Sequence, residues 1–91
     1  SMAHANLATA LNALERHPEA EAAAREAVRL DPQNAFGHGA LGHALGGLKR
    51  FPEAEKAMRE AVRLDPKNGL FRSNLGHILN ELGRKAEAEA E

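Results

Sequence analysis

The sequence predicts an all-α fold, a solenoid of antiparallel helix hairpins with five to six helices, and three observations predict it. REAVRLDP occurs at residues 25–32 and again at 59–66, thirty-four residues apart. The longer stretches around it, PEAEAAAREAVRLDPQN at 18–34 and PEAEKAMREAVRLDPKN at 52–68, agree at fourteen of seventeen positions. Within each unit the apolar residues recur at helical spacing. A catalytic motif has no reason to be duplicated in a chain of 91 residues. A unit that buries its face against copies of itself must be.

Each unit reads as two helices. The first helix, near 3–15, carries Leu7, Ala8 and Leu11, and the second runs near 18–30 from Pro18. The third, near 35–48, places Leu41, Leu45 and Leu48 on one face. Lys49-Arg50 interrupts that pattern, and Pro52 opens a fourth helix near 52–64, where a first-turn proline forgoes no hydrogen bond. That helix turns Ala54, Ala57, Met58, Ala61, Val62 and Leu64 inward and sets Glu55 and Arg59 outside as an i,i+4 pair. Asp65-Pro66 stops it, because a residue before proline is pushed out of the α region, and Asn68-Gly69 turns the chain. A fifth helix is expected near 69–82 with Gly83 as its stop, and a short sixth near 85–91. The chain is one domain, residues 1–91, with repeats at 1–34, 35–68 and a truncated 69–91.

Composition narrows the function classes. Hydrophobic residues make 43% and charged ones 27%, an ordinary globular balance, but the apolar share is mostly Ala and Leu, so the core is modest. Net charge is −1, which offers no basic field to nucleic acid or anionic lipid. No cysteine is present, so disulfides, thiol catalysis and thiolate metal sites are excluded. No apolar run approaches the roughly 18 residues of a membrane span. Ser1-Met2 reads as the remnant of a cleaved expression tag on a piece of a longer, cytoplasmic protein.

The spacing resembles the tetratricopeptide repeat, whose 34-residue pattern is W-x2-L-G-x2-Y…A-x3-F…P. The second unit has His38-x2-Leu41-Gly42-x2-Leu45, then Ala54-x3-Met58, then Pro66. The third has Arg72-x2-Leu75-Gly76-x2-Leu79 and Ala88, and the first has His4-x2-Leu7-Ala8-x2-Leu11, Ala20-x3-Ala24 and Pro32. The departures fall at the aromatic positions, filled by His, Arg, Leu, Met or Ala. His4 and His38 are expected to pack in the space of the family's aromatic.

This resemblance implies a right-handed superhelix and an interaction scaffold whose first helices line a concave groove for a peptide or partner segment. With Leu41, Leu45 and Leu48 inward, the groove is expected to hold Phe36, Gly39 and His43 from the second unit. Asn6 and Thr9 join them from the first, and Leu70, Ser73, Asn74, His77 and Asn80 from the third. Chaperone-binding members hold a C-terminal carboxylate with Lys, Asn, Asn, Lys and Arg. The corresponding places here are Ala5, Thr9, Ala40, Leu70 and Asn74, none of that residue type, which argues against a chaperone-tail adaptor. Asn6 and Asn74, with Ala40 between, resemble part of the asparagine ladder of glycosyltransferase-linked members.

His43 and His77 are expected about 10 Å apart on adjacent helices, too far to share a metal through short imidazole arms. A pH-responsive groove fits them better, since histidine titrates near neutrality and five added protons take the formal charge from −1 to +4. Gly46-Gly47, near a helix end, reads first as a frayed turn. No cofactor is implied. An enzyme is the poorest reading, because the hydroxyl side chains are Ser1, Thr9 and Ser73 alone and none has a histidine–carboxylate set. Two further readings stand beside the scaffold: a non-catalytic repeat region of a larger enzyme such as a glycosyltransferase, and a homodimer through the open C-terminal end. In the latter, Leu75, Ile78, Leu79 and Leu82 form the self-association face, because a solenoid end without a polar cap exposes its core.

Overall fold

Alanine and glycine at repeated positions let helices approach closely, and the whole architecture follows from that. The structure is a computed structural model that describes the backbone of residues 2–90 and the side chains of residues 2–84. The described residues form five helices: α1 (Met2–Ala13), α2 (His17–Leu30), α3 (Ala35–Gly47), α4 (Phe51–Leu64) and α5 (Gly69–Ala90). α1 pairs with α2 and α3 with α4 as hairpins, α3 also packs on α1 and α2, and α5 packs on α4. The core between them is thin. Ala8, Ala20, Ala24, Ala27, Ala44, Ala54 and Ala61 are fully buried, and Leu45, Met58, Phe71 and Ile78 supply its bulk.

The connections show why the helices begin and end where they do. Asn34 caps α3 by accepting the Phe36 N–H at 3.0 Å, and Asn68 caps α5 by accepting those of Leu70 and Phe71 at 3.0 and 3.2 Å. Both hairpin turns are Schellman motifs. Arg16 N–H donates to Leu11 O at 2.8 Å and Glu15 N–H to Asn12 O at 3.0 Å; Arg50 and Lys49 repeat the pattern on Leu45 and Gly46. Glu15 and Lys49 consequently sit in the left-handed region, at φ 60° and 62°. The i,i+4 pairs expected on the outer faces are present, Arg25 on Glu21 at 2.9 Å and Arg59 on Glu55 at 2.8 Å.

One expected boundary is absent. α5 passes through Gly83 without a stop and takes in residues 85–90 of the expected sixth helix, Glu91 lying outside the described residues. The position 34 residues before Gly83 is Lys49, so a glycine suited to the left-handed turn stands where the turn would be. The missing element is proline. Pro18 and Pro52 begin α2 and α4, whereas the third unit has Ala86 at that place. A proline inside a continuous helix costs about 3 kcal/mol, so it is proline that separates α1 from α2 and α3 from α4. Glycine alone imposes only about 1 kcal/mol, which the helix absorbs. The pattern residue Ala88 lies outside the residues whose side chains are described.

Candidate functional site

A buried asparagine ties α1 to α3. Asn12, 4% exposed, donates through its amide nitrogen to the Ala40 carbonyl of α3 at 3.1 Å. Its amide oxygen lies 3.0 Å from His17 Nδ1. An amide oxygen can only accept, so Nδ1 carries the proton and Nε2 of His17 is left for another partner. Gly47 provides the seat for this ring: a Cβ there would lie 2.5 Å from three of its atoms. The Gly46-Gly47 pair therefore serves packing, with the His17 ring laid across the last turn of α3 rather than a frayed end. His43 comes next, its ring centroid 6.0 Å from that of His17 and tilted by 35°.

These rings open onto a cleft of about 200 Å³ lined by His17, Gly42, His43, Gly46, Gly47, Asn74, His77 and Ile78. Three of the residues expected in the groove, His43, Asn74 and His77, thus meet at one place. His17 was not anticipated there. It precedes Pro18 in a connection, and only the fold brings it to α3. No carboxylate lines the cleft, and among the described residues no three His, Cys, Asp or Glu side chains are grouped so as to hold a metal ion. Desolvation at the cleft mouth, and secondarily the neighbouring His17, push the His43 pKa below the ordinary imidazole value. Its neutral form is the one the fold favours, so this contribution to stability is full above about pH 6.5 and is lost as the pH falls below it.

The other expected groove residues lie elsewhere. Gly39 is buried rather than open: a Cβ there would fall 2.3 Å from Cε1 of Phe71, whose ring covers the position. Phe71, 5% exposed, also meets Phe36 edge-on at 5.8 Å. Phe36 and Leu70 remain 48% and 67% exposed as an apolar pair beside it. Asn6, Thr9, Ser73 and Asn80 are exposed on α1 and α5 outside the cleft lining, and the Thr9 hydroxyl donates to Ala5 O of its own helix at 3.0 Å.

On α5, Ile78 is 3% exposed and packs at the Gly46 position, so it belongs to the core and not to an outer face. Leu79 is 39% exposed, with Leu75 and Leu82 half-buried. A second hollow of about 440 Å³ lies between α2, α3 and α4, with Val28, Leu41, Leu45 and Ala57 apolar and Arg25, His38, Glu53, Lys56 and Glu60 polar. His38 faces this space, where the resemblance puts an aromatic, and its Nε2 is 2.8 Å from Pro32 O.

Stacked helix hairpins with a polar cleft on one side define a repeat scaffold, a class that is generally non-catalytic and acts by holding other proteins. Residues 1–35 and 40–91 match the tetratricopeptide repeat family, and the chain belongs to it. Among solved structures it is similar to the NMR structure of the first TPR domain of the human RPAP3 protein, with a TM-score of 0.85 and 26% sequence identity. That similarity covers 92% of this chain and 66% of the other, so the chain spans just under two thirds of that domain. No curated protein matches it. Among the described residues, no helix is long and apolar enough to cross a membrane.

Proposed function

We propose that the concave side, bordered by the first helix of each unit, holds an extended segment of a protein partner. The observation that carries this reading is the cleft itself: it is the place where polar side chains of α3 and α5 converge over glycine backbone and leave room for a side chain. Hydrogen-bonding groups of both kinds are at hand there, the Asn74 amide and the imidazoles, which suits a peptide backbone or a polar side chain. The test is selection of binding segments from a displayed peptide library, followed by binding to Gly46→Leu. A Cβ at Gly46 meets only Ile78 Cγ1 at 3.9 Å, an ordinary contact, and Gly46 lines the cleft, so the leucine is expected to be tolerated and to take up cleft space. Selected segments are expected to bind Gly46→Leu at least about tenfold more weakly, or about 1.4 kcal/mol, with no loss of thermal stability. Equal affinity for the plugged variant would count against the reading.

The exposed Leu79 supports self-association as a second reading. Among the described residues α5 is continuous and no helix folds back over Leu79, while Leu75 and Leu82 pack in part against the core. Sedimentation equilibrium over a hundredfold concentration range is expected to show mass rising above 9.8 kDa, and Leu79→Glu to restore the monomer. A single species at the chain mass throughout would remove this reading and leave the cleft untouched.

A further inference from the structure

We propose that the cleft between α3 and α5 accepts one carboxylate of the bound segment, an Asp or Glu side chain, through His43, His77 and the Asn74 amide. The proposal rests on the concave-side reading and adds the chemistry of the group that enters. At about 200 Å³ the cleft admits a single side chain and not a helix. Its polar lining consists of three imidazoles, from α2, α3 and α5, and one amide. His43, His77 and the Asn74 amide can each donate a hydrogen bond, whereas the His17 N–H is spent on Asn12; an imidazole that gains a proton donates from both nitrogens and carries charge.

Nothing in the cleft supplies the matching negative charge. Among the described residues, several charged groups on the surrounding elements are paired with one another, and Arg72 of α5 lies outside the cleft lining. Arg16 holds Glu19 at 2.8 Å at the start of α2, and Arg84 faces Glu81 at 3.5 Å on α5. Arg50, at the start of α4, is taken by Glu21 at 3.0 Å and Glu53 at 2.8 Å. α1 contributes the neutral Asn12 behind His17, and α4 lines none of the cleft. Glu15 and Lys49 stand in the turns, outside the lining. The protonated form of His43 is held back first by desolvation and then by His17, and the negative charge of an incoming carboxylate favours that form.

Binding of the carboxylate therefore takes up protons, and affinity rises as the pH falls. An anion whose binding takes up one proton gains up to about tenfold in affinity for each pH unit of fall while the free imidazole is still neutral, so affinity is expected to be at least about tenfold higher at pH 5.5 than at pH 7.5.

The test uses the full chain and two capped tripeptides, acetyl-Gly-Glu-Gly-amide and its Gln counterpart, with histidine-ring and asparagine side-chain NMR signals as the readout at pH 5.5 and 7.5. The Glu peptide is expected to move the His43, His77 and Asn74 signals, with affinity about tenfold higher at pH 5.5, while the Gln peptide binds at least tenfold more weakly there. His43→Gln, at an exposed position, is expected to keep the fold and lose most of the pH dependence. Equal response to the two peptides, a flat pH profile, or shifts confined to His4 and His38 would overturn the proposal. Acetate binding as tightly as the Glu peptide would also overturn it, by making the cleft a site for free anions. Library-selected segments that bind the concave side without an acidic residue would sink this inference and leave the proposed function standing. Segments that bind α2 and α4 instead would sink both.

Discussion

Replacing Phe71 by alanine is expected to lower the unfolding free energy by about 3–5 kcal/mol, the largest effect of any single substitution in this chain. Phe71 is the largest side chain of the buried set, 5% exposed, and its ring occupies the space that a side chain at Gly39 would need. It also makes the edge-on contact with Phe36. The neighbours cannot close over the void, because the facing surface is helix backbone at Gly39 rather than a mobile side chain. A core built mostly of alanine has little to spare against a total stability of about 5–15 kcal/mol. For a domain of this size each kcal/mol shifts the midpoint by about 4–8 °C, so a fall of at least about 12 °C is expected in thermal unfolding. Phe36→Ala, at a half-exposed ring, is the control and is expected to cost far less. A loss below 1 kcal/mol for Phe71→Ala would mean that the ring does not hold α5 to α3.

The second large effect is a change of architecture. Ala86→Pro is expected to end α5 at Gly83 and start a sixth helix, giving the third unit the hairpin of the first two. The substitution raises the cost of the continuous helix by about 3 kcal/mol. Gly83 occupies the place of Glu15 and Lys49, both already left-handed at φ 60° and 62°, and adopts that conformation more readily than either. Carbon chemical shifts across residues 80–88 provide the check: helical values should disappear at 83–85 and resume beyond. With the segment folded back, Leu79 should gain cover, and any concentration-dependent mass should diminish. Helical shifts persisting through Gly83 in the variant would show that proline is not what separates the paired helices.

The same comparison shows what could be read before the fold was known. The period, the hairpins and the inward alanines were legible because each depends on neighbours within a single unit. Gly83 misled because a glycine stop is a weak signal, and the stronger one, proline three residues on, is absent only in the third unit. Phe71 escaped notice because its partner is Gly39 in the preceding unit, and the equivalents of Phe71, Ala3 and Gly37, are small. Ile78 was placed on an outer face because helical spacing groups it with Leu75 and Leu82, while its real neighbour is the glycine at 46 on α3. His17 joined the cleft for a similar reason. Its position is set by Asn12 and by the room above Gly47, contacts between elements that no periodicity within one helix reveals.

The most direct test of the concave-side account is to map a library-selected segment onto the isotope-labelled chain by backbone and side-chain chemical-shift changes. The account expects the largest changes at His43, Gly46, Asn74 and His77, with α4 and the part of α2 beyond His17 left near their free values. Changes concentrated on α4 and on α2 beyond His17, around the hollow beside Arg25 and Lys56, would contradict it and move the binding surface to that hollow.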